Sequence, residues 1–151
     1  MKVFTFSVTE LFVLLEAWFV FLKWDLLISF TQYENWRSGI TNLTELNDPV
    51  KKSDSPTSEQ IKRIIQLSEI AGRFHIRKMN CLRRCLVQQK MLAKRGVNAS
   101  MQIGVNIEKD KVKAHAWLTF QGNIINDNED VLSRYSELKI ANEHAILCAL
   151  K

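Results

Sequence analysis

Cysteine is scarce in this chain of 151 residues, which contains only Cys81, Cys85 and Cys148. An odd number of cysteines does not pair into a disulfide framework. No small-residue cleavage site follows the apolar stretch near the N-terminus, so the sequence gives no sign of a secretory signal peptide. We therefore expect free thiols in a reducing compartment, the cytoplasm.

The sequence also lacks a long uncharged hydrophobic run. Residues 8–30 are rich in Leu, Phe, Val and Trp, but Glu10, Glu16, Lys23 and Asp25 interrupt them. A membrane span needs ~20 consecutive, predominantly apolar residues, and this stretch does not supply them. The pattern predicts an apolar N-terminal helix covered on more than one side by the rest of the domain. Contact between residues 8–30 and a membrane surface is the alternative.

No basic block interleaved with aromatic residues is present, and the net charge is a modest +5. Nothing here indicates a nucleic-acid partner. Hydrophobic residues make up 46% and charged residues 25%, which is typical of a folded globular protein. We expect a single domain over residues 1–151. An N-terminal helical region and linker would occupy residues 1–50, and a core would occupy residues 51–151.

The positions of turn-forming residues and the spacing of apolar residues predict an α+β fold in which helices pack on a small antiparallel sheet. A second helix should begin near Ser55 or Thr57, and a third should run from Asn80 or Cys81 to about Arg95. Gly96 should end that third helix. Strands are expected over 99–107, 112–120 and 123–126, with a hairpin turn at Gln121-Gly122-Asn123. A C-terminal helix is expected over 130–150.

Three residues of this pattern can perform nucleophilic chemistry together. Cys81 heads the third helix, where unpaired N–H groups and the helix dipole favour a thiolate and can stabilise an oxyanion. His115 lies in a strand between two alanines, which leave room for its ring. Asp127 follows the next strand, and a hairpin would bring its carboxylate beside the imidazole. The order predicts a nucleophile, a base and an orienting acid, although each residue type alone is more often structural.

Two other interpretations use neighbouring residues. Cys81, Cys85 and His115 could hold zinc, but the sequence lacks a Cys-x-x-Cys motif or a fourth ligand beside them. A packing role for Cys85 is the simpler interpretation. The basic side chains around the site form either a solvated helix face or a surface for an acidic leader peptide or a leader-binding protein. They are Arg77, Lys78, Arg83, Arg84, Lys94 and Arg95.

The motifs along residues 55–140 resemble the leader peptidases of lasso-peptide biosynthesis, bacterial cysteine proteases of the transglutaminase-like superfamily. The resemblance rests on the order and spacing of Cys81–Val87, Leu92–Ala99, Ile103-Gly104-Val105, Ala114–Leu118, Gly122 and Asn126-Asp127. It implies a papain-like cysteine protease core with Cys81 as nucleophile, His115 as base and Asp127 as acidic partner. Leu118 and Thr119 depart from the valine and carboxylate that the family often has there.

The resemblance also implies a reaction and its partners. The enzyme would remove the leader from a ribosomally made precursor peptide, and an asparagine-synthetase-like macrocyclase would then close the freed core. In many such systems a separate small protein binds the leader, and this chain resembles the protease half. No cofactor and no metal is implied. Two further functions use the same fold: acyl transfer to an amine by the same three residues, and a non-catalytic peptide-binding module.

Overall fold

The computed structural model describes residues 6–32, 56–108 and 111–137. Within this part of the chain, helices pack on one four-stranded antiparallel sheet, so the predicted α+β fold is confirmed. The elements are α1 (Val8–Phe30), α2 (Ser58–Arg73), α3 (Cys81–Ala93), β1 (Ser100–Glu108), β2 (Lys111–Phe120), β3 (Asn123–Ile124), α4 (Val131–Arg134) and β4 (Ser136–Glu137).

Side-chain caps fix the start of each of the three long helices. Ser7 and Glu10 form a reciprocal capping box at α1, and Thr57 forms one at α2 with the glutamine three residues later. Asn80 caps α3 by accepting a hydrogen bond from the backbone N–H of Arg83 at 3.0 Å. Each cap satisfies N–H groups that have no partner within the helix. Of the two predicted starts for α2, the one at Thr57 is therefore correct.

Helix α1 packs against α2 and α3 through one face only. Ala17, Phe21, Trp24 and Ile28 on that face are at most 6% exposed. The opposite face carries apolar side chains that are between 47% and 78% exposed, so the prediction that the helix is covered on more than one side is wrong for the described residues. These side chains are Val8, Leu11, Phe12, Leu15, Phe19, Leu26 and Phe30.

The acidic residues that interrupt the apolar pattern of α1 join this helix to the others. Asp25 is the most buried of them, and the Nε of Arg83 in α3 lies 2.9 Å from its Oδ1. Within the described ranges, the ion pairs between α1 and other segments are Glu10–Arg63, Glu16–Lys94, Glu16–Arg95, Asp25–Arg77 and Asp25–Arg83. Among the described residues, no helix is both long and apolar enough to cross a membrane.

The sheet has the strand order β3-β2-β1-β4, and β1 pairs along its whole length with Lys111–Thr119 of β2. The register places Gly104 of β1 directly opposite His115 of β2. Gln121 and Gly122, both with positive φ, make the predicted turn after β2. The strand that follows is shorter than expected, because β3 pairs only two residues with Thr119 and Phe120.

The predicted C-terminal helix over 130–150 begins as expected, at Val131, but it ends after only four residues. Helix α4 ends at Arg134, and the chain then becomes extended at Tyr135. Ser136 and Glu137 pair with Val105 and Gly104 of β1, so hydrogen bonds to the sheet replace those that a continued helix would make. The apolar pattern further along, which includes Cys148, lies outside the described residues.

Candidate active site

Cys81 is the first residue of α3, as its pattern predicts. The Asn80 cap holds the helix start, so the N–H groups of the first turn point out of the helix end beside the thiol. The Cys81 sulfur accepts hydrogen bonds from the backbone N–H of Leu82 and from that of Ala116 in β2. The thiol is therefore held between the end of a helix and the edge of a strand, both of which favour negative charge on sulfur.

His115 and Asp127 lie beside this thiol. The Nε2 of His115 is 2.5 Å from the Oδ2 of Asp127, and the side chains are 19% and 22% exposed. The imidazole is also hydrogen-bonded to the side chain of Cys81. The structure thus brings the three predicted residues together in the order thiol, imidazole, carboxylate.

The protonation of the three groups follows from these contacts. Burial opposes a charged Cys81, but the hydrogen bond with His115 and the Ala116 N–H outweigh it, so the pKa of the thiol lies below its ordinary value. The hydrogen bond to Cys81 raises the pKa of His115 despite partial burial, and Asp127 raises it further. Burial likewise opposes a charged Asp127, yet His115 and the N–H of Asn128 lower the pKa of that carboxyl. The arrangement therefore favours a thiolate–imidazolium pair with a carboxylate behind it.

Cys85 has the opposite chemistry although it lies one helical turn from Cys81. Its side chain is buried, and burial raises the pKa of the thiol to about 12. A protonated and inaccessible thiol is a poor nucleophile. The packing role predicted for Cys85 agrees with this environment.

Two aromatic rings hold the imidazole from its faces. The ring of Tyr135 stacks on His115 with centroids 5.1 Å apart, and that of Trp117 lies 6.3 Å away at an interplanar angle of 25°. Gly104 leaves the space that both side chains occupy. A Cβ added there would lie 2.7 Å from Trp117 Cη2 and 2.9 Å from Tyr135 Cβ. Glycine is needed here for space, so that the two rings can approach the sheet. No local pattern in the sequence singles out Tyr135, because its contact with His115 depends on the β4 pairing.

The neighbouring residues considered for metal or peptide binding have other contacts. Among the described residues, no group of three or more His, Cys, Asp or Glu side chains could hold a metal ion. Arg83 is 6% exposed, so the prediction of a solvated helix face is wrong for this residue. Most of the basic side chains around the site pair within the chain: Arg77 and Arg83 with Asp25, Arg84 with Glu69, and Lys94 and Arg95 with Glu16.

The site brings together a helix-borne cysteine, a strand-borne histidine and a carboxylate, which are the residue types that nucleophilic chemistry by a thiol requires. The family model of the transglutaminase-like superfamily matches residues 26–139. The chain belongs to this superfamily, whose members are commonly cysteine peptidases or transferases. Neither the search of curated proteins nor the search of solved structures found a match.

Proposed function

We propose that this protein is a cysteine peptidase that removes the leader from a ribosomally made lasso-peptide precursor. The observation that carries the peptidase part is the hydrogen-bonded row from Cys81 through His115 to Asp127. The specific substrate is supported by the set of motifs that resembles the lasso leader peptidases, from Cys81–Val87 to Asn126-Asp127.

The proposed reaction has two halves, the formation of a thioester on Cys81 and its hydrolysis. Cys81, His115 and Asp127 take part in both. The Cys81 thiolate attacks the carbonyl carbon of the scissile bond, and the positive end of the helix dipole at the head of α3 stabilises the oxyanion. The His115 imidazolium gives its proton to the leaving amine of the core peptide, and the leader remains as a thioester on Cys81. Neutral His115 then takes a proton from water, whose oxygen attacks the thioester and releases the leader carboxylate and the thiol. Asp127 orients the ring and stabilises its charged form.

The partners follow from the same proposal. A separate leader-binding protein would present the precursor, and an asparagine-synthetase-like macrocyclase would consume the freed core amine. We place the protein in the cytoplasm, where both partners would act.

The test is incubation of the protein with a precursor peptide encoded by a neighbouring gene, with and without the leader-binding protein. Mass spectrometry should find a leader with a free carboxylate and a core with a free amine, formed much faster when the partner is present. Cys81→Ala is the control and should form neither product. Equal rates with and without the partner would contradict partner dependence. A leader joined to an added amine would show that transfer, and not hydrolysis, is the reaction.

A further inference from the structure

The side chain of Asn126 joins the strand that carries His115 to the helix that carries Cys81. Its Oδ1 accepts a hydrogen bond from the backbone N–H of Leu118 in β2 at 2.7 Å. Its Nδ2 donates to the Oε1 of Gln88 in α3 at 2.7 Å and to the Cys85 sulfur at 3.3 Å. A single amide thus makes contacts on both sides of the site.

The orientation of this amide is determined by its neighbours. Gln88 is completely buried, and its Nε2 donates to Ser68 Oγ at 3.1 Å and to Glu69 Oε1 at 2.7 Å in α2. Because the NH₂ group of Gln88 is used there, its carbonyl faces Asn126 and can only accept. Asn126 must therefore present its own NH₂ group to Gln88 and its oxygen to Leu118. Buried networks with every member satisfied hold one arrangement of the elements that they join.

The place of this contact makes it relevant to the reacting atoms. The N–H groups of Ala116 and Leu118 point from the same edge of β2, since they are two residues apart in a strand. That of Ala116 donates to the Cys81 sulfur, and that of Leu118 donates to Asn126. Strand β3 pairs with β2 at Thr119 and Phe120, and the N–H of Ile125 donates to the Leu118 carbonyl at 3.0 Å, so the pairing ends at Leu118. This edge of β2 is therefore connected to α3 at two successive N–H groups. That of Ala116 bonds to Cys81 directly, and that of Leu118 is joined to α3 through the Asn126 side chain.

Asn126 also precedes Asp127, whose carboxylate contacts the imidazole. Fixing the Asn126 side chain consequently limits where the next residue can place its carboxylate. Among the described residues, the titratable groups that interact electrostatically with the Cys81 thiol are His115 from β2 and Cys85 from its own helix. Asn126 is uncharged, so its removal acts on the distances between these groups and adds no charge of its own.

We propose that Asn126 is a positioning residue that sets the distance between the Cys81 thiol and the His115 imidazole. It does not touch the reacting atoms. The proposal rests on the proposed function for its effect on turnover, but its effect on thiol reactivity can be measured without any peptide substrate.

The experiment is alkylation of the protein by iodoacetamide as a function of pH, with the Cys81 adduct quantified by mass spectrometry. In Asn126→Ala the thiol–imidazole contact should loosen, and the pH midpoint of Cys81 alkylation should rise by roughly one unit, which slows alkylation roughly tenfold at any pH below both midpoints. The matched control is Gln89→Ala, which removes a buried hydrogen bond from Gln89 Nε2 to the Ala99 carbonyl at 2.9 Å on the same helix. It should lower thermal stability comparably and leave the alkylation profile unchanged.

An unchanged profile in Asn126→Ala, or an equal change in Gln89→Ala, would overturn the proposal. If Asn126→Ala does not fold, Gln88→Leu breaks the same connection at similar volume, and it should shift the profile in the same direction by less. A normal profile in folded Gln88→Leu would then count against the proposal. If Asn126→Ala shifts the alkylation profile but the wild-type protein cleaves no precursor, the positioning role of Asn126 stands and the proposed function is wrong.

Discussion

Replacing Asp127 by asparagine removes the charge behind the imidazole while keeping the shape of the side chain. The His115 Nε2–Asp127 Oδ2 distance of 2.5 Å and the limited exposure of both groups indicate a charge-assisted hydrogen bond. Such bonds contribute about 2 kcal/mol, and that loss corresponds to roughly 30-fold in rate. The asparagine oxygen can still accept from Nε2–H, so some orientation of the ring is retained. We expect Asp127→Asn to lower single-turnover cleavage of the precursor by roughly 30-fold.

The pH dependence gives this prediction a second measurement. Asp127 raises the pKa of His115, so the variant should lose the imidazolium at a lower pH than the wild type. The alkaline limb of the rate profile should therefore move toward acid, and the active range should become narrower. His115→Ala should lower the cleavage rate at least as much as Asp127→Asn does. The double variant should lose no more activity than His115→Ala alone, because the two groups act as a unit. A folded Asp127→Asn protein, checked by circular dichroism, with turnover within about twofold of wild type would refute the role of Asp127.

Three further predictions concern the thiols and helix α1. Cys81→Ala should abolish precursor cleavage and Cys85→Ala should retain most of it, since only the first thiol is activated; an active Cys81→Ala protein in the same assay would reject the proposed nucleophile. Deleting residues 8–30 should give insoluble or unfolded protein, because the core loses the buried face of α1; a soluble and active product would make the segment a peripheral anchor. Asp25→Asn should lower the free energy of unfolding, measured by urea titration, by about 3 kcal/mol, because the buried Arg83 charge loses its carboxylate. A loss below about 1 kcal/mol would show that the Asp25–Arg83 pair is effectively solvated.

Local signals in the sequence were sufficient for the parts of the site that depend on short stretches of chain. Asn80 before Cys81 predicts a helix start, and Gln121-Gly122 predicts the turn that folds Asp127 back beside His115. These features need only backbone preferences and the side chains of the next few residues. The roles predicted for Cys81, His115 and Asp127 came in addition from the resemblance of the motifs to the lasso leader peptidases.

The features that the sequence did not reveal depend on contacts between distant segments. The pattern after Val131 favours a helix, but pairing of Ser136 and Glu137 with β1 ends it at Arg134. Arg83 resembles a solvated residue until Asp25, far away in the chain, is placed beside it. Such long-range pairing has no local signature, because it is determined by how the finished elements pack.

Gly104 has a consequence for how this protein would respond to random mutation. Its backbone torsion places no demand on glycine, and it lies on β1, which carries none of Cys81, His115 and Asp127. Even so, the smallest possible side chain there would push against the two rings that hold His115. In a library selected for activity, this position should tolerate almost nothing but glycine and so resemble a catalytic position, although its only contribution is empty volume.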